Sequence, residues 1–65
     1  MSNDQTNLEY AVSICFWRAF YEHPQRKTDP ALVLEAAREE ACKAIPPGVH
    51  GSFDDQELTW TQESE

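Results

Sequence analysis

The sequence predicts a mainly helical, all-α fold: an antiparallel two-helix hairpin followed by a short aromatic and acidic segment. Two segments have apolar residues at helical spacing. Pro24 and Pro46 end these segments, because proline cannot donate the next helical hydrogen bond. The connection between them is short and polar, as is usual between antiparallel helices. At 65 residues there is room for one domain, predicted over residues 6–61 between a flexible N-terminus (1–5) and a disordered tail (62–65).

The first helix is predicted over residues 6–23. Thr6 and Glu9 stand three residues apart, in the capping-box pattern in which each side chain accepts a hydrogen bond from the other residue's exposed amide. Pro24 ends the helix. One side has the apolar spacing of a core-facing stripe, formed by Leu8, Val12, Cys15, Phe16 and Ala19.

The second helix is predicted over residues 30–45. Asp29 suits the N-cap and Pro30 the first helical position. This helix has a single apolar face, formed by Val33, Leu34, Ala37, Ala41, Ala44 and Ile45. It can therefore cover only one side of the first helix.

A short third element is predicted over residues 52–61, and the pattern leaves its type open. Ser52 to Asp55 could cap one more helical turn, whereas Leu58 to Thr61 alternate as a short strand does.

The first helix has a second apolar stripe on the side opposite the core stripe. We call it the aromatic face; it is formed by Tyr10, Ile14, Trp17 and Tyr21, within an arc of about 60°. Leaving such side chains in water forgoes roughly 1.5 to 3 kcal/mol each and creates a patch that binds other surfaces.

We therefore expect something to cover the aromatic face, and three covers fit the sequence. The C-terminal segment could fold back and place Phe53, Leu58 and Trp60 over it. A second copy could pair with it, giving a homodimeric four-helix bundle. A different protein could bind it, and only then is the face itself a functional surface. Of the three, the homodimer is the cover we favour.

The charge distribution excludes several classes of partner. The formal net charge is -7, and residues 46–65 contain no Lys or Arg but five acids: Asp54, Asp55, Glu57, Glu63 and Glu65. Because nucleic acids and anionic membranes are bound through Lys and Arg, we expect no direct binding to either. The sequence shows no secretory leader pattern, and its longest mostly apolar stretch is too short to span a bilayer. We expect a cytoplasmic protein.

The sequence has no pattern typical of catalysis or metal binding. There is no phosphate loop or nucleophile elbow. The possible metal ligands Cys15, His23, Cys42 and His50 match no zinc spacing. We therefore expect no enzyme activity, no catalytic residue, no metal and no cofactor.

Protein binding is the function class that remains. We expect a non-catalytic adaptor or regulator of a basic protein partner, in which aromatic side chains anchor the contact and carboxylates steer it. The predicted contact residues are Tyr10, Ile14, Trp17, Tyr21, Phe53, Asp54, Asp55, Glu57, Leu58 and Trp60. One alternative is an acidic nucleic-acid mimic, of mobile-element type, that inhibits a DNA- or RNA-binding enzyme. Another is a small structural subunit of a larger complex. It also stays open whether the C-terminal aromatic residues only complete the core.

Overall fold

The fold is a pair of helices with a small β-hairpin packed on it. The computed structural model describes the backbone of residues 3–63 and the side chains of residues 7–63. Along the chain follow helix α1 (Asn3–Tyr21), helix α2 (Pro30–Cys42), strand β1 (Gly51–Asp54) and strand β2 (Thr59–Gln62). The strands pair antiparallel. The prediction of a mainly helical fold with two helices is confirmed, but the all-α class is wrong because residues 51–62 form a β-hairpin.

Helix α1 is shifted toward the N-terminus relative to its prediction. It begins at Asn3 rather than at residue 6 and ends at Tyr21 rather than at residue 23. Because the helix begins at Asn3, the backbone of Thr6 lies inside it and not at the predicted N-cap position. Oε2 of Glu9, the other residue of the predicted capping box, accepts a hydrogen bond from the amide of Gln62 at 2.7 Å. The early end agrees with the effect of Pro24, which disfavours helical geometry in the preceding residue. Residues 1 and 2 of the predicted flexible N-terminus lie outside the described residues.

Helix α2 begins where the sequence predicts and ends three residues early, at Cys42. Oδ1 of the N-cap residue Asp29 accepts a hydrogen bond from the amide of Leu32 at 3.3 Å. The next three amides, from residue 43 to residue 45, donate to carbonyls three residues back. This tighter spacing is that of a 3₁₀ turn, which leads the chain out of the helix before Pro46.

The core lies where both helices meet the hairpin. Its buried side chains are Val12, Phe16, Val33, Ala37, Ala41, Leu58 and Trp60. The five helical members belong to the predicted apolar stripes. Cys15, predicted in the core, is exposed. The reason is that β2 packs beside Ser13, so that the buried side of α1 is rotated away from Cys15.

The hairpin loop closes without glycine. The amide of Leu58 donates to the carbonyl of Asp54 at 2.8 Å, and Leu58 has a positive φ of 57°. Gln62, which we predicted to begin a disordered tail, is the last residue of β2, and the amide of Glu63 donates to the carbonyl of His50 at 2.8 Å. Residues 64 and 65 lie outside the described residues. Over residues 3–63, neither helix combines the length and apolar character needed to cross a bilayer.

Candidate protein-binding surface

The aromatic face is partly open to solvent. The exposed fractions are 70% for Tyr10, 48% for Trp17 and 44% for Tyr21, and Ile14 is half-buried. All four side chains lie on one side of α1 because they follow one another at spacings of four, three and four residues. None of the three aromatic side chains is among the buried core residues.

The hairpin loop borders the aromatic face and forms a groove with it. The groove has a volume of about 300 Å³ and is lined by Tyr10, Ser13, Ile14, Trp17, Glu57, Leu58 and Thr59. Helix α1 forms one wall and the end of the loop forms the other. The C-terminal segment therefore folds back beside the aromatic face without covering it.

Neighbouring rings hold one end of the aromatic face in place. The ring centroids of Trp17 and Tyr21 are 5.1 Å apart, and those of Phe20 and Tyr21 are 5.4 Å apart in an edge-to-face contact. The guanidinium of Arg26 lies 5.3 Å from the centroid of Tyr21, within range of a cation–π interaction. Such contacts order these side chains in the free protein and so reduce the conformational entropy that they would lose on binding a partner.

The C-terminal apolar residues that we predicted to contact a partner belong to the core or pack against it. Trp60 is 2% exposed, and Leu58 is also buried. The half-buried Phe53 pairs with Trp60 across the hairpin, and its ring centroid lies 5.0 Å from that of Phe16. This geometry favours the alternative in which these three residues complete the core.

Two of the three predicted acidic contact residues have partners within the chain. Oδ1 of Asp54 accepts hydrogen bonds from the amides of Gln56 at 2.9 Å and Glu57 at 3.2 Å, which stabilises the loop. Asp55 forms an ion pair with Arg38 on α2. Glu57 is exposed and lines the groove. Of these three acidic residues, Glu57 is therefore the one that borders the groove beside the aromatic face.

Glu9 and Ser13 hold the hairpin on α1, a role that we did not predict for them. Oγ of Ser13 accepts a hydrogen bond from the amide of Trp60 at 2.8 Å and donates to its carbonyl at 3.4 Å. Oε2 of Glu9 accepts a hydrogen bond from the amide of Gln62. The sequence contained one signal for this role. Glu9 and Ser13 are polar, stand four residues apart and lie between the two apolar stripes, where they can accept hydrogen bonds from the edge of a strand.

A second groove lies at the end of α2. It has a volume of about 350 Å³ and its lining includes Cys42, Ile45, Pro46, Val49, Gly51 and Phe53. Cys42 and Cys15 are exposed free thiols. Among the residues that the structure describes, no three His, Cys, Asp or Glu side chains are grouped to hold a metal ion.

Comparison with known proteins gives no match: no protein-family model fits the chain, and neither a curated protein nor a solved structure is detectably similar to it. Function must therefore be inferred from the two grooves and from the charge around them.

Proposed function

We propose that the protein is a non-catalytic adaptor or regulator that binds another protein through the aromatic face. The observation behind this is the exposure of Tyr10, Trp17 and Tyr21, which lie outside the buried core. Exposed aromatic clusters next to a groove mark interaction sites, and buried aromatic side chains contribute much of the binding energy at interfaces.

The proposed partner presents an amphipathic, basic segment. Its apolar side chains would enter the groove between α1 and the hairpin loop, where Ile14 and Trp17 lie on one wall. Its Lys or Arg side chains would lie near Glu57 on the other wall. A chain of net charge -7 also attracts a basic partner over distance.

The rival functions fit this surface less well. A nucleic-acid mimic needs rows of unengaged carboxylates at phosphate spacing, whereas Asp54 and Asp55 are engaged within the chain. A homodimer would cover the aromatic face with a second copy, but two chains of net charge -7 repel each other. The basic protein partner is thus our preferred occupant, and the experiment distinguishes it from the second copy.

The test combines affinity capture of partners with light scattering. We expect Trp17→Gln to lose the captured partner while the protein still unfolds in a single cooperative transition in urea, which shows that the fold is retained. Leu32→Gln is a matched control, because Leu32 on α2 is also 48% exposed, and it should retain the partner. Glu57→Lys should weaken capture.

Equal capture by all of these variants would contradict the proposal. Light scattering after size-exclusion chromatography identifies the other outcome. A wild-type dimer that Trp17→Gln converts to a monomer would assign the aromatic face to a second copy.

A further inference from the structure

The two edges of the β-hairpin differ. The amides of Trp60 and Gln62 donate to Ser13 and Glu9 on α1, so the outer edge of β2 is paired. In an antiparallel ladder, two residues directly opposite each other point their N–H and C=O groups either both toward the paired strand or both away from it. Phe53 is opposite Trp60 and Gly51 is opposite Gln62. Phe53 and Gly51 therefore point their N–H and C=O groups away from β2.

The outer edge of β1 has no cover of this kind. Among the described residues, neither backbone nor side-chain groups form a hydrogen bond with the amides of Gly51 and Phe53. An exposed strand edge with unpaired backbone groups is a template for one more strand. The edge of β1 thus offers two donors and two acceptors at the spacing of a β-ladder.

The second groove adjoins this edge. Gly51 and Phe53 themselves line it, together with the apolar side chains of Ile45, Pro46 and Val49. A strand added to β1 would direct every other side chain to the inner side of the sheet. The groove of about 350 Å³ is available there for these side chains.

We propose that β1 binds an extended, cationic segment of a partner protein as a third strand, with alternate apolar side chains in the second groove. Main-chain hydrogen bonds would supply binding and the groove would supply selectivity, as in other cases of strand addition. This inference does not depend on the aromatic face, which lies on α1 at the other edge of the hairpin.

Charge decides between a basic segment and a second copy of this chain. In the described residues 46–63 there are four acids and no Lys or Arg: Asp54, Asp55, Glu57 and Glu63. Of these, Asp54 belongs to β1 itself, and the net negative charge of the whole hairpin would attract Lys or Arg on the added strand. Pairing β1 with β1 of a second copy would instead place two acidic hairpins side by side, and like charges across strands destabilise a sheet.

The test measures amide hydrogen exchange by NMR on the full chain, with a blocked peptide of alternating valine and lysine as the probe. In the free protein, the amides of Gly51 and Phe53 should exchange rapidly, whereas that of Ser52, which points to β2, should be protected. Saturating peptide should slow exchange at Gly51 and Phe53 at least tenfold. Absence of binding, or binding without this protection, would overturn the proposal.

Two controls test the main-chain hydrogen bond from β1 and the charge of the added strand. N-methylation of Phe53, introduced by ligating residues 1–41 to residues 42–65 at Cys42, removes the donor and keeps the side chain; the peptide should then bind about tenfold more weakly. Substitution of Gly51 is unsuitable, because a Cβ there would overlap the ring of Trp60. A valine–glutamate peptide should also bind at least tenfold more weakly.

Equal binding of the acidic peptide would overturn the cationic assignment. Protection of Gly51 and Phe53 that rises with protein concentration and needs no peptide would assign the edge to a second copy instead, and would equally overturn the proposal.

Discussion

Leu58 adopts a backbone conformation that is unfavourable for a residue with a Cβ. Its φ of 57° lies in the left-handed region, which costs an L-residue about 1 to 2 kcal/mol. The leucine side chain is 6% exposed and packs in the core, where full burial contributes roughly 1.5 to 3 kcal/mol. Burial of the side chain thus offsets the backbone strain, which explains why the loop uses leucine where glycine is usual.

Substitution of Leu58 should separate these two effects. Leu58→Ala and Leu58→Gly should both destabilise the protein, since both remove the buried side chain. The glycine variant should be the more stable of the two by about 1 kcal/mol, because glycine relieves the strain that alanine retains. Urea unfolding followed by circular dichroism measures the difference.

The exposed helical residue Ala11 provides the control for this order of stability, in which the glycine variant is more stable than the alanine variant. There, Ala11→Gly should destabilise by about 1 kcal/mol, which is the ordinary preference within a helix. If alanine were also the more stable residue at position 58, the positive φ of Leu58 would be refuted.

At the scale of secondary-structure elements, the hairpin depends on α1. A two-stranded sheet alone is marginal in water. Ser13 and Glu9 supply the acceptors that a third strand would otherwise supply to β2, and Arg38 pairs with Asp55 on the loop. The hairpin is thereby bonded to both helices, and its inner residue Trp60 is positioned in the core.

Removal of the Ser13 hydroxyl should weaken this attachment. Ser13→Ala leaves the buried amide of Trp60 without its acceptor, which costs about 1 to 3 kcal/mol. The matched control is Ser52→Ala, on the solvent side of the same hairpin, which should change the free energy of unfolding by no more than about 0.5 kcal/mol. Equal effects of the two substitutions in urea unfolding would show that Ser13 does not hold β2.

The sequence predicted the helices far better than the hairpin, and the reason is the range of the interactions. Pro24 and the pair Asp29 and Pro30 act within one helical turn, so they are visible in a short window. The hairpin depends on the distant residue Ser13 and on a loop whose left-handed position holds Leu58 instead of glycine. Its usual turn signal is therefore missing from the sequence.

At the scale of the whole molecule, the two candidate surfaces differ in how far the sequence reveals them. The aromatic face follows from the spacing of Tyr10, Ile14, Trp17 and Tyr21 on one helix, and its exposure was left open by the three possible covers. The open edge of β1 follows only from the register, in which Phe53 is opposite Trp60. No local pattern specifies that register. For the same reason, we predicted that Trp60 would contact a partner, although it lies in the core.

The net charge of -7 should also affect stability. The described residues form three ion pairs, Arg18 with Glu22, Arg38 with Asp55 and Lys43 with Glu40, all on the surface. Exposed pairs of this kind contribute about 0 to 1 kcal/mol each. Mutual repulsion among the surplus carboxylates opposes folding, so repulsion rather than attraction should dominate the response to salt.

Raising NaCl from about 10 mM to about 500 mM should therefore increase the urea midpoint of unfolding, since the screening length falls from about 30 Å to a few ångström. Urea is the suitable denaturant because it carries no charge. A urea midpoint that falls with salt would show that the three ion pairs outweigh the repulsion.

Over the same range of NaCl concentration, the valine–lysine peptide should bind β1 more weakly, because salt screens the attraction to the acidic hairpin. A peptide affinity that does not change with salt would show that the added strand is held by its backbone and apolar side chains, without help from the carboxylates.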